Sequence, residues 1–327
     1  MLFADDAAIA AHSESDLQKL MDHFASACDL FGLTISLKKT QVLGQGIPTP
    51  PSIHIRDEHL EVVHQFTYLG STVTDKLSLD AEINTRIGKA ATNLSRLTKK
   101  VWENNQLTST TKIAVYKACV LSTLLYGSEA WTTYSSQERK LQVFHLRCLR
   151  RILGLSWKDK TTNNEVLSKA SIPSMYTLLR ERRLRWLGHV HRMEDGRIPK
   201  DLLYGELSSG QRAKGRPHLR FKDVCKRDMK STNINHDTWE DVHVATNRTA
   251  WKQRVSRGLK TGEEMILKAA DDKRAKRKAS QCDPTQTTHS EDLVFTCQGC
   301  KRICKSRIGL FSHSRRCSSN ASVSATP

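Results

Sequence analysis

The spacing of apolar residues changes character several times along the chain. In SESDLQKLMDHFASACDLFG, Leu17, Leu20, Met21, Phe24, Cys28 and Phe31 recur every three or four residues, which predicts an amphipathic helix capped by Ser13 and stopped by Gly32. LTISL and TQVLG then alternate in the manner of strands, and Pro48, Pro50 and Pro51 mark a turn. IHI, LEVVH and FTYLG predict further short strands. From Ser78 a helical period takes over: Ile83, Ile87, Ala90, Leu94, Leu97 and Val101 share one face, and similar patterns cover about 109–125, 135–153, 175–192 and 219–257. The fold class is therefore α+β, with a mixed region up to about residue 72 followed by a helical bundle. GELSSGQRAKGRPH predicts a mobile basic loop between the last two helical stretches. The charged stretch ending in DDKRAKRKASQ predicts a solvated helix or linker, flexible up to about residue 291.

Composition adds a partner to this picture. The 327 residues, 38% of them hydrophobic, are enough for two or three packed domains. No apolar run approaches the roughly 18 residues of a membrane span, and acidic residues stand where a secretory signal would be basic. An intracellular protein with no membrane partner is expected. The net charge of +18 is unevenly spread: residues 1–31 carry six acidic side chains and one lysine, whereas residues 180–230 carry fifteen basic and seven acidic ones. RNA or DNA is the natural partner of such a chain, because each neutralised phosphate releases counterions. A basic surface kept for solubility is the plainer alternative.

Nine cysteines are present, and four crowd near the end in VFTCQGCKRICKSRIGLFSHSRRC. Cys297, Cys300, His313 and Cys317 follow a C-x2-C-x12-H-x3-C pattern. A knuckle that supplies two thiolates and a helix that supplies His and Cys four residues apart on one face close a tetrahedral zinc site. Phe295 and Leu310 occupy core positions of such a finger, and Cys304 is read as a small core residue. A segment this short folds only with its metal. Lys301, Arg302, Lys305, Arg307, Arg315 and Arg316 flank the ligands and favour phosphate.

Other positions carry two readings. In RRLRWLGHVHRM, Trp186 with Arg183, Arg185 and Arg192 forms either a stacking and phosphate-binding surface for single strands or a helix anchor in the core. His189 and His191, two residues apart, face different ways on a helix and read as packing residues. KRAKRK at 273–278 is a nuclear import signal, a phosphate-binding run or a solvated helix face. No P-loop, dinucleotide fingerprint or Ser-His-Asp order is present in the sequence.

Asp5 and Asp6 lie between apolar residues in MLFADDAAIAAHS. An acidic pair of this kind is a helix cap, a surface turn or, on a tight strand turn, a pair of oxygen ligands for magnesium. The longer stretch LFADDAAIAAHSESDLQKLMDHFASACDLFGLTISLKKT resembles the palm of reverse transcriptases of non-LTR, LINE-type retrotransposons. Phe3, Ala4, Asp5 and Asp6 match the turn, and Gly32, Leu33, Lys39 and Thr40 match the strand that follows the helix. FTYLGSTV, with Phe66, Tyr68, Leu69 and Gly70, is similar to the family's strand turn that grips the primer end, and RRLRWLGHVHRMEDGRIPKDLLYGELSSGQRAKGRP resembles its post-thumb segment.

The resemblance implies that Asp5 ligates magnesium with Asp6 in support, and that Lys39, Tyr68, Leu69, Gly70, Arg183, Arg185 and Trp186 contact nucleic acid. It also implies a division into the end of a palm (1–75), a helical thumb (76–155), a basic helical extension (156–260), a charged flexible linker (261–291), a zinc finger (292–318) and a disordered tail (319–327). Two-metal polymerisation needs a further aspartate from an earlier palm strand, and fingers that bind template and nucleotide. None precedes Asp5 in this sequence. The expectation is a C-terminal part of an RNA-directed DNA polymerase, with zinc, that does not polymerise by itself. A non-enzymatic zinc-finger nucleic-acid-binding protein derived from such an element is the alternative, as is a decayed copy, and the nucleus is the expected location on either reading.

Overall fold

The computed structural model describes residues 2–205, 215, 218–240, 245–282, 295–304 and 306–317, without the side chains of 280–282, 315 and 316. Most of the expected basic loop (206–214, 216 and 217), the end of the expected linker (283–291) and the expected tail lie outside these residues. The chain divides into two compact units, the first ending at Lys268 and the second beginning at Ala269.

The first unit opens with a two-stranded hairpin, β1 (Leu2–Phe3) and β2 (Asp6–Ala7), in register Phe3 to Asp6. Then comes α1 (Glu14–Leu30). The Ser13 hydroxyl accepts the Asp16 N–H at 3.1 Å, and Gly32, at φ +67°, turns the chain away from the helix end. LTISL does not form a strand. The Ser36 carbonyl takes the Lys39 and Thr40 N–H groups and the Thr40 hydroxyl, so the segment closes into the 3₁₀ turn Leu37–Lys39, as Ser and Thr often do when they bond locally.

Short ladders follow. β3 (Gln41–Val42) runs parallel to β6 (Glu61–Val62), while β4 (His54–Ile55) pairs antiparallel with β5 (Glu58–His59). Gln18 of α1 seats the helix on β4: its side chain donates to the His54 carbonyl and accepts the His54 N–H. Met21, Ala25, Val42, Ile53, Ile55 and Leu60 make the small core of this region. A four-residue hairpin, β7 (Gln65–Tyr68) and β8 (Ser71–Thr74), turns at Leu69 and Gly70.

The remainder of the unit is helical. α2 (Asp80–Arg96) buries the predicted stripe, with Ile83 and Ala90 fully enclosed. α3 (Ser109–Val115) continues through the π-helical stretch Tyr116–Leu121 into α4 (Ser122–Leu124). α5 (Ser135–Ile152), α6 (Asn163–Ala170) and the first half of α7 (Met175–His191) complete one large core, which includes Tyr116, Leu124, Leu141, Leu149, Met175 and Leu179.

The second half of α7 enters another core. Leu184, Leu187 and Val190 pack there with Leu203 of α8 (Ile198–Tyr204), Cys225 and Met229 of α9 (Phe221–Ser231), and Trp251 and Val255 of α10 (Arg248–Cys282). Gly188 is the contact point: a Cβ there would come within 2.2 Å of Trp251 Nε1, which donates to the Leu184 carbonyl at 2.8 Å. The helical pattern predicted over 219–257 is interrupted. α9 ends where Asn233 adopts φ +54° and the Ile234 N–H returns to the Met229 carbonyl, a left-handed stop typical of helix C-termini. The charged stretch expected to be a solvated helix or linker is helical as far as Cys282. No helix among the described residues is long and apolar enough to cross a membrane.

In the second unit β9 (Phe295–Thr296) pairs antiparallel with β10 (Ile303–Cys304), and α11 (Arg307–Cys317) follows.

Candidate metal centre and nucleic-acid interface

The β9–β10 hairpin and α11 bring the four predicted ligands together. The Cys297 N–H bonds the Arg302 carbonyl and the Lys301 N–H bonds the Cys297 carbonyl, so residues 297–302 form a tight knuckle with Lys301 at φ +56°. The Ser306 hydroxyl accepts the Gly309 N–H near the start of α11, and His313 and Cys317 lie one turn apart on that helix. The ligand atoms of Cys297, Cys300, His313 and Cys317 all lie within 4.8 Å of one another, and Cys300 Sγ stands 2.9 Å from His313 Nε2. A tetrahedral zinc ion with bonds of about 2.0–2.3 Å needs donors roughly 3.5–3.8 Å apart, so the Cys300–His313 pair opens by roughly half an ångström while wider separations close.

The thiols are primed differently. The backbone N–H groups of Cys300 and Gly299 point at Cys297 and pull its pKa down to about 6, so it is largely thiolate at neutral pH. Cys317, facing the Cys300 sulfur, is pushed up to about 11 until a cation relieves the crowding. Cys304 pairs across the hairpin with Phe295 and stands outside the ligand group. Phe295 and Leu310 are half-buried. Lys301, Arg302 and Arg307 are exposed around the centre.

Asp5 and Asp6 are exposed on the β1–β2 hairpin, whose turn holds Ala4 at φ +51°. Among the described residues no third carboxylate, histidine or cysteine joins them in a metal-binding group.

The β7–β8 turn is held rigidly. The Glu82 carboxylate accepts the Thr72 N–H and Arg86 Nε, and Arg86 also donates to the Gly70 carbonyl. Its guanidinium lies 4.4 Å from the Tyr126 ring centre, and the Tyr126 hydroxyl donates to the Leu69 carbonyl. The turn thus presents Leu69, 40% exposed, with Tyr68 beside it. The Glu82–Arg86 spacing of four residues on a helix is the one sequence signal for this support. Lys39 is exposed on the Leu37–Lys39 turn.

On α7 the expected trio separates. Arg183 is fully buried: Nε donates to Asp228 at 2.6 Å, Nη1 to Thr133 at 2.9 Å and Nη2 to Glu138 at 3.1 Å. It cannot meet a phosphate, which corrects the expectation drawn from its place in the basic run. Arg185 is exposed and Trp186 is half-buried, its indole 5.3 Å from the His189 ring. These last two border a groove of about 530 Å³ between α7 and the end of the α3–α4 segment. Leu121, Leu125 and Leu178 supply its apolar lining. Arg182 and Glu129, which sequence reasoning passed over, complete the rim. His191 instead packs inward, with Nδ1 2.7 Å from the Tyr204 hydroxyl.

Comparison with known proteins gives this arrangement a lineage. Over 268 residues, 78% of this chain and 94% of the other, it is 24% identical to a transposon-derived protein of Caenorhabditis elegans. It is also 23% identical, over half of its own length, to the RNA-directed DNA polymerase of the mobile element jockey in Drosophila melanogaster. Its homologues are transposon proteins, jockey-type reverse transcriptases among them. The jockey polymerase of Drosophila funebris matches over 55% of the chain at the same identity. This transposon-related chain spans about a fifth of the jockey polymerases it matches, 19% and 20% of their lengths. No family model and no solved structure matches it. The Cys3His cluster fits a CCHC zinc finger of the transposon-related chain.

Proposed function

We propose that this chain is the C-terminal part of a LINE-type reverse transcriptase and that it binds RNA or DNA without polymerising by itself. Residues 1–75 close the palm, 76–155 form the thumb, 156–260 a basic extension and 292–318 a zinc finger. The observation that carries this reading is the homology to jockey RNA-directed DNA polymerases, joined in one chain to a Cys3His cluster edged with exposed Lys301, Arg302 and Arg307. Tyr68, Leu69 and Gly70, held by Arg86 and Tyr126, supply a fixed turn suited to one strand end. The inactivity rests on the need of two-metal polymerisation for a further palm aspartate beside Asp5 and Asp6.

The reading of a non-enzymatic binding protein of retrotransposon origin draws support from the worm relative, whose length is 94% covered. Filter binding and primer extension on the zinc-loaded chain test both readings. Binding of RNA or DNA oligonucleotides that weakens steeply with salt is expected, with no magnesium-dependent incorporation. Incorporation abolished by Asp5→Ala would overturn the claim of inactivity, and absence of any binding would overturn the whole reading.

A further inference from the structure

The groove beside Trp186 combines three properties that sort its occupants. Part of its lining is apolar, from Leu121, Leu125 and Leu178, and Trp186 borders it with an aromatic ring flanked by His189. Its charges cancel. Arg182 lies 3.7 Å from Glu129 and Arg185 lies 3.5 Å from Glu181, each distance that of a loose pair. The surrounding chain is strongly basic, at +18 overall.

A phosphate backbone laid along this groove would meet two carboxylates together with the two guanidiniums, so the groove does not track the charge of a strand. A flat ring with an apolar face and polar edges fits better. The leucines and the indole accept the face, while carboxylate acceptors and guanidinium donors stand at the rim for the edge. The groove, about 530 Å³ and open to solvent, is ample for one base. The positive charge elsewhere on the chain would hold the phosphates outside.

On the reading that the chain binds nucleic acid, we propose that this groove is a pocket for an unpaired nucleobase, stacked against Trp186 with its edge between the Arg182–Glu129 and Arg185–Glu181 pairs. The ligand class is a base splayed from a single-stranded segment of RNA or DNA.

The test uses the full zinc-loaded chain, short single-stranded oligonucleotides and a blunt duplex of the same sequence. Trp186→Leu is expected to weaken single-strand binding about tenfold, within the range measured for removing one stacking aromatic, and to leave duplex binding unchanged. The slope of log affinity against log salt is expected to stay the same, because stacking releases no counterions, whereas a lost phosphate contact lowers it by about one. A second measurement needs no variant. A 4-thiouridine oligonucleotide irradiated on the unmodified chain is expected to cross-link within residues 178–189 or 121–129, which together line the groove.

If the unmodified chain binds no oligonucleotide, the nucleic-acid reading fails and the pocket with it. Binding that Trp186→Leu leaves intact, with cross-links elsewhere, sinks the pocket alone. Cross-links elsewhere, together with protection of residues 178–189 by an added amphipathic helical peptide, would assign the groove to a protein partner instead.

Discussion

Arg183 shows how much a single residue's setting decides. It stands between the two helical cores, where α7 passes from one to the other, and no water reaches it. Its guanidinium is satisfied by Asp228 on α9, Glu138 on α5 and Thr133, so it ties three segments at one point. Burial pushes the Asp228 carboxyl above its ordinary range, against the opposing pull of Arg183. Without Arg183 the buried Asp228 carboxylate keeps Arg180, 3.7 Å away, and Glu138 keeps Arg227 at 2.8 Å, but the closest hydrogen-bonding partner of Asp228 is lost in a poorly hydrated place, and breaking a buried pair costs far more than the pair contributes. Arg183→Met is therefore expected to destabilise the first unit by about 3–5 kcal/mol in urea unfolding. Arg183→Met combined with Asp228→Leu is expected to recover a large part of that loss. A single variant with unchanged stability would show that the network is not closed as described. The helical period does separate Arg183 from Arg185, since Leu179 and Leu187 stand four residues either side of the first and Glu181 and His189 either side of the second, but a basic residue within an apolar stripe names no partner until α5 and α9 pack against it. The zinc ligands are the opposite case. Their spacing alone names them, since a tetrahedral metal constrains residue type and separation before any fold is known.

At the scale of elements, α1, α2, α5 and α7 were legible because each buries one stripe and carries its own start or stop signals, such as Ser13 and Gly32. The break between α9 and α10 was less so. It depends on the left-handed turn at Asn233 and on the close approach of α10, where Gly258 and Gly262 pass the Thr232 and Ser231 carbonyls with no room for a Cβ. Those are tertiary facts, and periodic apolar residues on both sides of the break mask them. LTISL alternates like a strand yet lacks a partner ladder, so local bonds to the Ser36 carbonyl prevail.

The docking of α10 likewise rests on long-range contacts. The Glu263 carboxylate accepts the Ser174 N–H at 2.8 Å, the Ser174 hydroxyl at 2.6 Å and the Thr177 hydroxyl, capping α7 from another helix. Asn164 Nδ2 adds a bond to the Leu267 carbonyl. Glu263→Ala leaves three donors unmet in a part-buried place, which is expected to cost about 1–3 kcal/mol. Hydrogen exchange should accelerate in the first turn of α7 and around residues 259–268, and leave α2 protected. Uniform acceleration across all helices would mean that the contact has no local role.

For the whole molecule, the division at Lys268 and Ala269 separates two sources of stability. The first unit rests on three apolar clusters. Among its described residues the second has little apolar interior: Ile303, Ile308 and Phe311 are 70%, 79% and 62% exposed, and the sulfur cluster takes the place of a core. Metal binding must therefore supply the folding energy of residues 295–317. Chelation of zinc, or Cys297→Ser, is expected to abolish amide protection across the β9–β10 hairpin and α11, whereas the helices buried in the three clusters keep theirs. Nucleic-acid binding by the apo chain should also lose steepness with salt, since Lys301, Arg302 and Arg307 then no longer share one rigid surface. Three lost phosphate contacts would reduce the slope of log affinity against log salt by about two to three. Protection of residues 295–317 that survives chelation would instead mean that this unit folds on its polypeptide alone, and that the four ligands are positioned before any metal arrives.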